Sequence, residues 1–150
     1  MRRYLVRFDE LPIDKSSVKL GRNSGEVVTA CRCVNVGLFL SGSLRVDVAV
    51  SIAIGSLNDL TIVSFLGNTL RRVSPDERSI SFFLLKAVEK AQSLEHSEGF
   101  IMDNGIELIR TSYDEIMELW GSEMIEVPSI KPERYILDAN ISADRMENNP

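Results

Sequence analysis

Histidine and cysteine are nearly missing from this chain: among 150 residues His96 is the one histidine, and Cys31 and Cys33 are the only cysteines. Two thiols two residues apart make no disulfide framework, and on a helix they point about 200° from one another. They read as small, buried groups of a reducing compartment. His96 lies in the polar stretch QSLEHSEG, without a second ligand at a useful spacing, which argues against zinc. No apolar run approaches the roughly 18 residues of a membrane span, and the basic start is not followed by the apolar segment of a secretory signal. Glycine-rich phosphate loops, nucleophile elbows and internal repeats are lacking too. Cations are the minority, 17 Lys and Arg against 22 Asp and Glu for a net charge of −5, so any nucleic acid would have to meet a local basic patch. The expectation is a cytoplasmic protein with no metal and no membrane contact.

Hydrophobic residues at 44% and charged residues at 26% are ordinary globular usage, which excludes a disordered chain and leaves one core of common size. Residues 3–8 read as a strand, and residues 9–25, with Pro12 and two glycines, as a long surface loop. That loop holds Lys15, Lys19 and Arg22 and reads either as an RNA arm or as a plain mobile loop. Residues 26–40 place Val27, Cys31, Val34 and Leu38 at steps of four, three and four, which predicts a helix ended by Ser41 and Gly42. Val46, Val48, Val50, Ile52 and Ile54 alternate as a strand, and residues 60–66 follow as a second, either as a hairpin or as two neighbours. In SPDERS, Ser74 is the expected N-cap, Pro75 the first helical residue and Glu77 the partner of a capping box. Behind it Ile80, Phe83, Leu84, Ala87, Val88 and Ala91 repeat at the helical period. Beyond lie a short strand at 99–102, a helix capped by Ser112 with Glu115, and strands at 123–127 and 135–137. Strands separated by helices predict an α/β fold, a mainly parallel sheet with helices on both faces. Residues 1–137 form one domain in this reading, and 138–150 a polar tail.

Three stretches carry a resemblance: CRCVN at 31–35 with LFLS at 38–41, a strand region beginning LRVDVAV at 44, and FLGNTLRRVSPDERS at 65–79. Together they resemble the archaeal tRNA (pseudouridine-54 N1)-methyltransferase family of the knotted SPOUT superfamily. The resemblance implies a homodimer, S-adenosylmethionine as methyl donor, tRNA as substrate and methyl transfer to N1 of pseudouridine. LWGSEMIEV and YILDANIS stand where the family has its cofactor loops, which places the donor pocket at Met117, Gly121, Leu137 and Asp138. Asp138 falls on a family glycine, Ser142 on a second, and the family's SLGP-like segment has no counterpart. The fold expected is therefore SPOUT-like but truncated at the knot, and a relative that keeps RNA binding or dimerisation without catalysis is the alternative.

Within that resemblance the chemistry selects residues. Removing the N1 proton builds negative charge on the uracil carbonyls, which a preorganised donor stabilises. Arg78, in the first turn of the capped helix, is the candidate donor, and Asp76 or Glu77 the proton acceptor; both carboxylates are equally explained by helix capping and the helix dipole. Arg71 and Arg72 add cations at the same turn, as phosphate contacts or salt partners. Arg32 and Asn35 interrupt an apolar helix and read as RNA contacts, or as a polar face towards solvent or a dimer mate. Tyr113 and Trp120 read as core residues or as stacking platforms for a base.

Overall fold

The computed structural model describes residues 1–127. β1 (Arg2–Phe8) leads through α1 (Lys15–Leu20) and α2 (Gly25–Leu38) to a small hairpin, β2 (Phe39–Leu40) with β3 (Ser43–Leu44). β4 (Val48–Ser56), β5 (Asp59–Leu66), α3 (Glu77–Ala91), β6 (Gly99–Ile101), β7 (Glu107–Thr111), α4 (Tyr113–Trp120) and β8 (Met124–Val127) follow. The six-stranded sheet runs β6-β7-β5-β4-β1-β8.

The fold is α/β as expected, but the sheet is mixed. β1 pairs in parallel with β4 and β8, whereas β4 with β5, β5 with β7 and β6 with β7 are antiparallel. The reason is connection length. Only Leu57 and Asn58 separate the paired residues Ser56 and Asp59, too few for the crossover that parallel neighbours need. Parallel pairing survives where a helix intervenes, α2 between β1 and β4 and α4 before β8.

Alternation along the strands divides the interior in two. Tyr4, Val6, Val50, Ile52, Val63 and Phe65 face the side covered by α2 and α3, where Val27, Cys31, Val34, Ile80, Leu84 and Ala87 meet them. Leu5, Ala53, Leu60 and Ile62 face the other side and meet Ile116 and Trp120 of α4. Each fully buried aliphatic side chain contributes about 1.5–3 kcal/mol. On the α4 side, Ser51 and Ser64 stand opposite one another and their buried hydroxyls hydrogen-bond at 2.6 Å, which satisfies two polar groups inside the layer. Tyr113 packs against this second core, and Trp120 is buried in it under the Arg3 guanidinium, 4.4 Å from the ring centre.

Several local expectations shift. The 9–25 loop contains α1, capped by Asp14, whose carboxylate accepts from Ser17 N at 2.7 Å, and closed by left-handed Gly21. α2 ends at Leu38, and Ser41 and Gly42 form the turn of the β2–β3 hairpin. The cap of α3 is Asp76 instead of Ser74: Asp76 has the extended backbone a cap requires (φ −144, ψ 158) and accepts from Ser79 N at 2.8 Å. Ser79 Oγ accepts from Ser74 N at 2.8 Å, so Ser74 meets the helix through its backbone and not as its cap, and Glu77 is the first helical residue rather than a box partner. β7 is a strand beyond those the sequence pattern predicts. Ser112 caps α4 as expected, accepting from Glu115 N at 3.3 Å. The strand expected at 135–137 and the tail from Asp138 lie outside the described residues.

Candidate nucleic-acid interface

The β5–α3 connection is built tightly. A Cβ on Gly67 would stand 1.8 Å from the Arg45 carbonyl oxygen, so only glycine fits there. Downstream, Thr69 Oγ donates to Gly105 O at 3.1 Å, and Arg71 donates from its backbone to Asn104 O at 2.9 Å and from its guanidinium to Asp103 O at 3.0 Å. Arg71 thus ties the connection to the β6–β7 turn. Arg72 is exposed and held at φ 62, an uncommon conformation for a residue with a Cβ and one that costs on the order of 1 kcal/mol or more. Asn35 of α2 donates to Pro75 O at 3.1 Å, and Arg32, three residues earlier on the same helix side, is exposed. The structure therefore brings Asn35 to the start of α3, gives Arg71 a structural bond and leaves Arg32 and Arg72 facing solvent.

At the start of α3, Asp76 is occupied in capping and Glu77 accepts from Asn23 Nδ2 at 3.0 Å. Burial, and secondly the charge of Glu77, raise the Cys31 thiol to about 12, so it stays protonated and unreactive at neutral pH. Arg78 reaches across to α1 and donates to Lys19 O at 3.2 Å. Between these two helices lies an open groove of about 500 Å3. Its rim carries Lys15, Lys19, Arg78 and Lys86, and its floor is Val18, Phe82, Phe83 and Leu85. Among the described residues no carboxylate lines it.

The groove beside α4 has the opposite sign. α4 carries Asp114, Glu115 and Glu118, and a shallower groove of about 360 Å3 beside it is lined by Glu115 and Glu118 with Ser97, Thr111 and Leu119. The Glu115 carboxyl is lowered, first by its hydrogen bond with His96 (2.8 Å), then by Ser112 and Ser97. Met117 and Gly121 sit on this helix, on the other face of the sheet from α3. Gly121 has right-handed helical backbone, and the Cβ it lacks would meet Met117 O at 2.4 Å, so helix closure accounts for the glycine. Leu137 and Asp138 lie outside the described residues. Among the described residues no cluster of metal-ligating side chains is found and no helix is long and apolar enough to cross a membrane.

Sequence reasoning passes over Phe82, Lys86 and Lys90. The signal is present: Arg78, Phe82, Lys86 and Lys90 recur every four residues, one side of a helix. The apolar stripe on the buried side of the same helix is the stronger pattern and hides it.

The sequence matches, over residues 1–128, the family described as "Putative SAM-dependent RNA methyltransferase". It is also similar to curated proteins named tRNA (pseudouridine(54)-N(1))-methyltransferase. The one from Methanococcus maripaludis is 49% identical over 72 residues, 47% of this chain and 36% of that protein. The one from Methanocaldococcus jannaschii is 37% identical over 75 residues, 49% of this chain and 37% of that protein. The one from Haloferax volcanii is 32% identical over 125 residues, 82% of this chain and 62% of that protein. The chain thus spans between 36% and 62% of the length of these relatives.

Proposed function

The chain belongs to this family of SAM-dependent RNA methyltransferases, and on that premise we propose that it acts in methyl transfer to N1 of pseudouridine at position 54 of tRNA. The observation that carries the reading is the family match across residues 1–128, together with 49% identity over 72 residues to a protein named tRNA (pseudouridine(54)-N(1))-methyltransferase. A SPOUT-type knot and a homodimer belong to the same reading.

S-adenosylmethionine, when bound, supplies a methyl group on a positive sulfonium. Gly121 is explained by closure of α4 on the Met117 carbonyl, and no step is assigned to Gly121 or Met117. The chain's own contribution is to the uracil. As the N1 proton leaves, charge spreads onto the carbonyl oxygens, and Arg78, at the positive end of α3, is suited to donate there. Removing one such donor typically costs about 3 kcal/mol of transition-state stabilisation. Asp76 and Glu77 stand at the same helix end, and in this reading one of them takes the proton. Arg32 and Arg72, exposed on α2 and on the approach to α3, are suited to phosphate, with Asn35 and Arg71 holding the surface in shape.

The test is incorporation of radiolabelled methyl from S-adenosylmethionine into two tRNA transcripts, one with pseudouridine and one with uridine at position 54. Label in the first alone is the expected result; no label in either, or equal label in both, overturns the reading. Arg78→Ala is expected to lower kcat about 100-fold.

A further inference from the structure

We propose that the groove between α1 and α3 binds an unpaired loop segment of the RNA substrate, with a base against Phe82 and the flanking phosphates on Lys15, Lys19 and Lys86. The inference rests on the RNA-methyltransferase reading for the class of partner, and on the groove's own chemistry for the place.

Four observations carry it. First, the sign: in a chain of net charge −5, this groove gathers Lys15, Lys19, Arg78 and Lys86, and among the described residues no carboxylate lines it. A polyanion is steered to such a patch whatever the total charge. Second, the floor: Phe82 is 44% exposed, so part of its ring is open to a ligand in the groove. Phe83 braces it edge-on, with ring centres 5.0 Å apart at 84°, and the Lys86 ammonium lies 5.5 Å from its centre. A flat aromatic surface beside an ammonium suits a base with its phosphate. Duplex RNA hides its base faces in the stack, so the ring fits an unpaired nucleotide.

Third, the walls are set in advance. α1 is capped at both ends, by Asp14 and by Gly21, whose N–H reaches Ser17 O and Val18 O, and Arg78 joins Lys19 O to α3. The groove needs no folding upon binding, which keeps the ordering cost low. Fourth, the pattern extends beyond the groove. Lys90 follows Lys86 one turn on and lies 4.4 Å over the ring of Phe100, itself 41% exposed. Arg78, Phe82, Lys86 and Lys90 therefore form a track of about 18 Å along α3. Interleaved cations and aromatic rings along one line are the arrangement that single strands follow.

Fluorescence anisotropy with a labelled tRNA transcript at 50 and 200 mM salt decides the matter, using the full chain and two variants. Lys15→Gln/Lys19→Gln/Lys86→Gln is expected to reduce the slope of log affinity against log salt by about 2, roughly 0.7 for each phosphate deprived of its ammonium partner. Phe82→Ala is expected to weaken binding about 10-fold with the slope unchanged, and Phe82→Trp to restore it. All the substituted side chains are solvent-exposed, and matching melting temperatures would establish that the variants fold. If the unsubstituted chain binds tRNA and every variant matches it, the groove is not the RNA site while the methyltransferase reading stands. If the unsubstituted chain does not bind tRNA at 50 mM salt, both fall. If the variants keep RNA affinity but change the mass measured by light scattering, a second copy of the chain covers the groove and the proposal is overturned.

Discussion

The flank of the sheet covered by α2 and α3 and the flank covered by α4 are built from the same strands, yet they differ in depth and in charge. On the first, two long helices close a broad core and the outer surface gathers cations over an aromatic floor. On the second, one helix of 8 residues covers a small cluster and shows Asp114, Glu115 and Glu118 to solvent. A net charge of −5 therefore describes neither surface. A local cluster of cations lets an acidic chain offer a polyanion one basic groove.

The contrast between the flanks is most exposed to disturbance at the connection that seats α3. Gly67→Ala drives a methyl group into the Arg45 carbonyl, where backbone must move, and is expected to destabilise the fold by about 3 kcal/mol or more, read as a fall in the urea midpoint. Next come the two cores. Leu84→Ala on α3 should cost about 3–4 kcal/mol and Ile116→Ala on α4 about 2–3, since the smaller cluster has more freedom to collapse around the gap. Equal losses in urea unfolding would show that the flanks are equally rigid.

Helix caps give smaller effects that distinguish the start of α3 from that of α4. Asp76→Ala and Ser112→Ala should each lower stability by about 1 kcal/mol, whereas Ser74→Ala should change it by less than about 0.5, because the cap is Asp76. A full cap loss at Ser74 would restore the sequence-based assignment.

Titration leaves the two flanks alike near neutral pH and separates them only away from it, Cys31 in alkali and Glu115 in acid. The Cys31 thiol is raised in the folded chain to about 12 from an ordinary value of 9.0. Its contribution is therefore complete below pH 9 and declines as the unfolded state ionises first between pH 9 and 12. Cys31→Ala should flatten that alkaline slope in melting temperature. Glu115 is lowered from 4.5, so its contribution is complete above that value and is lost as pH falls through the folded value. Glu115→Gln should remove the corresponding acid slope; a slope that persists in the variant would assign it to other carboxylates.

Much of this architecture is legible along the chain because it arises from local periodicity. Val27, Cys31, Val34 and Leu38 announce α2, Ile80, Leu84 and Ala87 announce α3, and Ser112 with Glu115 starts α4, since each signal lies within one or two turns of its own element. The cap expected at Ser74 shows the limit of that approach. Ser74 and Asp76 are both good caps by residue type, and only the backbone angles choose between them. α1 escapes a reading by periodicity because six residues, one of them buried, leave almost no periodic signal.

Residue order along the chain sets the elements, the kinship matched over residues 1–128, and the presence of arginines near the start of α3. Which of those cations share a surface is settled in three dimensions: Lys15 and Lys19 come to Arg78 and Lys86 because α1 docks on α3, although 59 residues separate Lys19 from Arg78. Docking depends on the buried side of each helix, so the composition of the exposed sides carries no record of which neighbours they will meet.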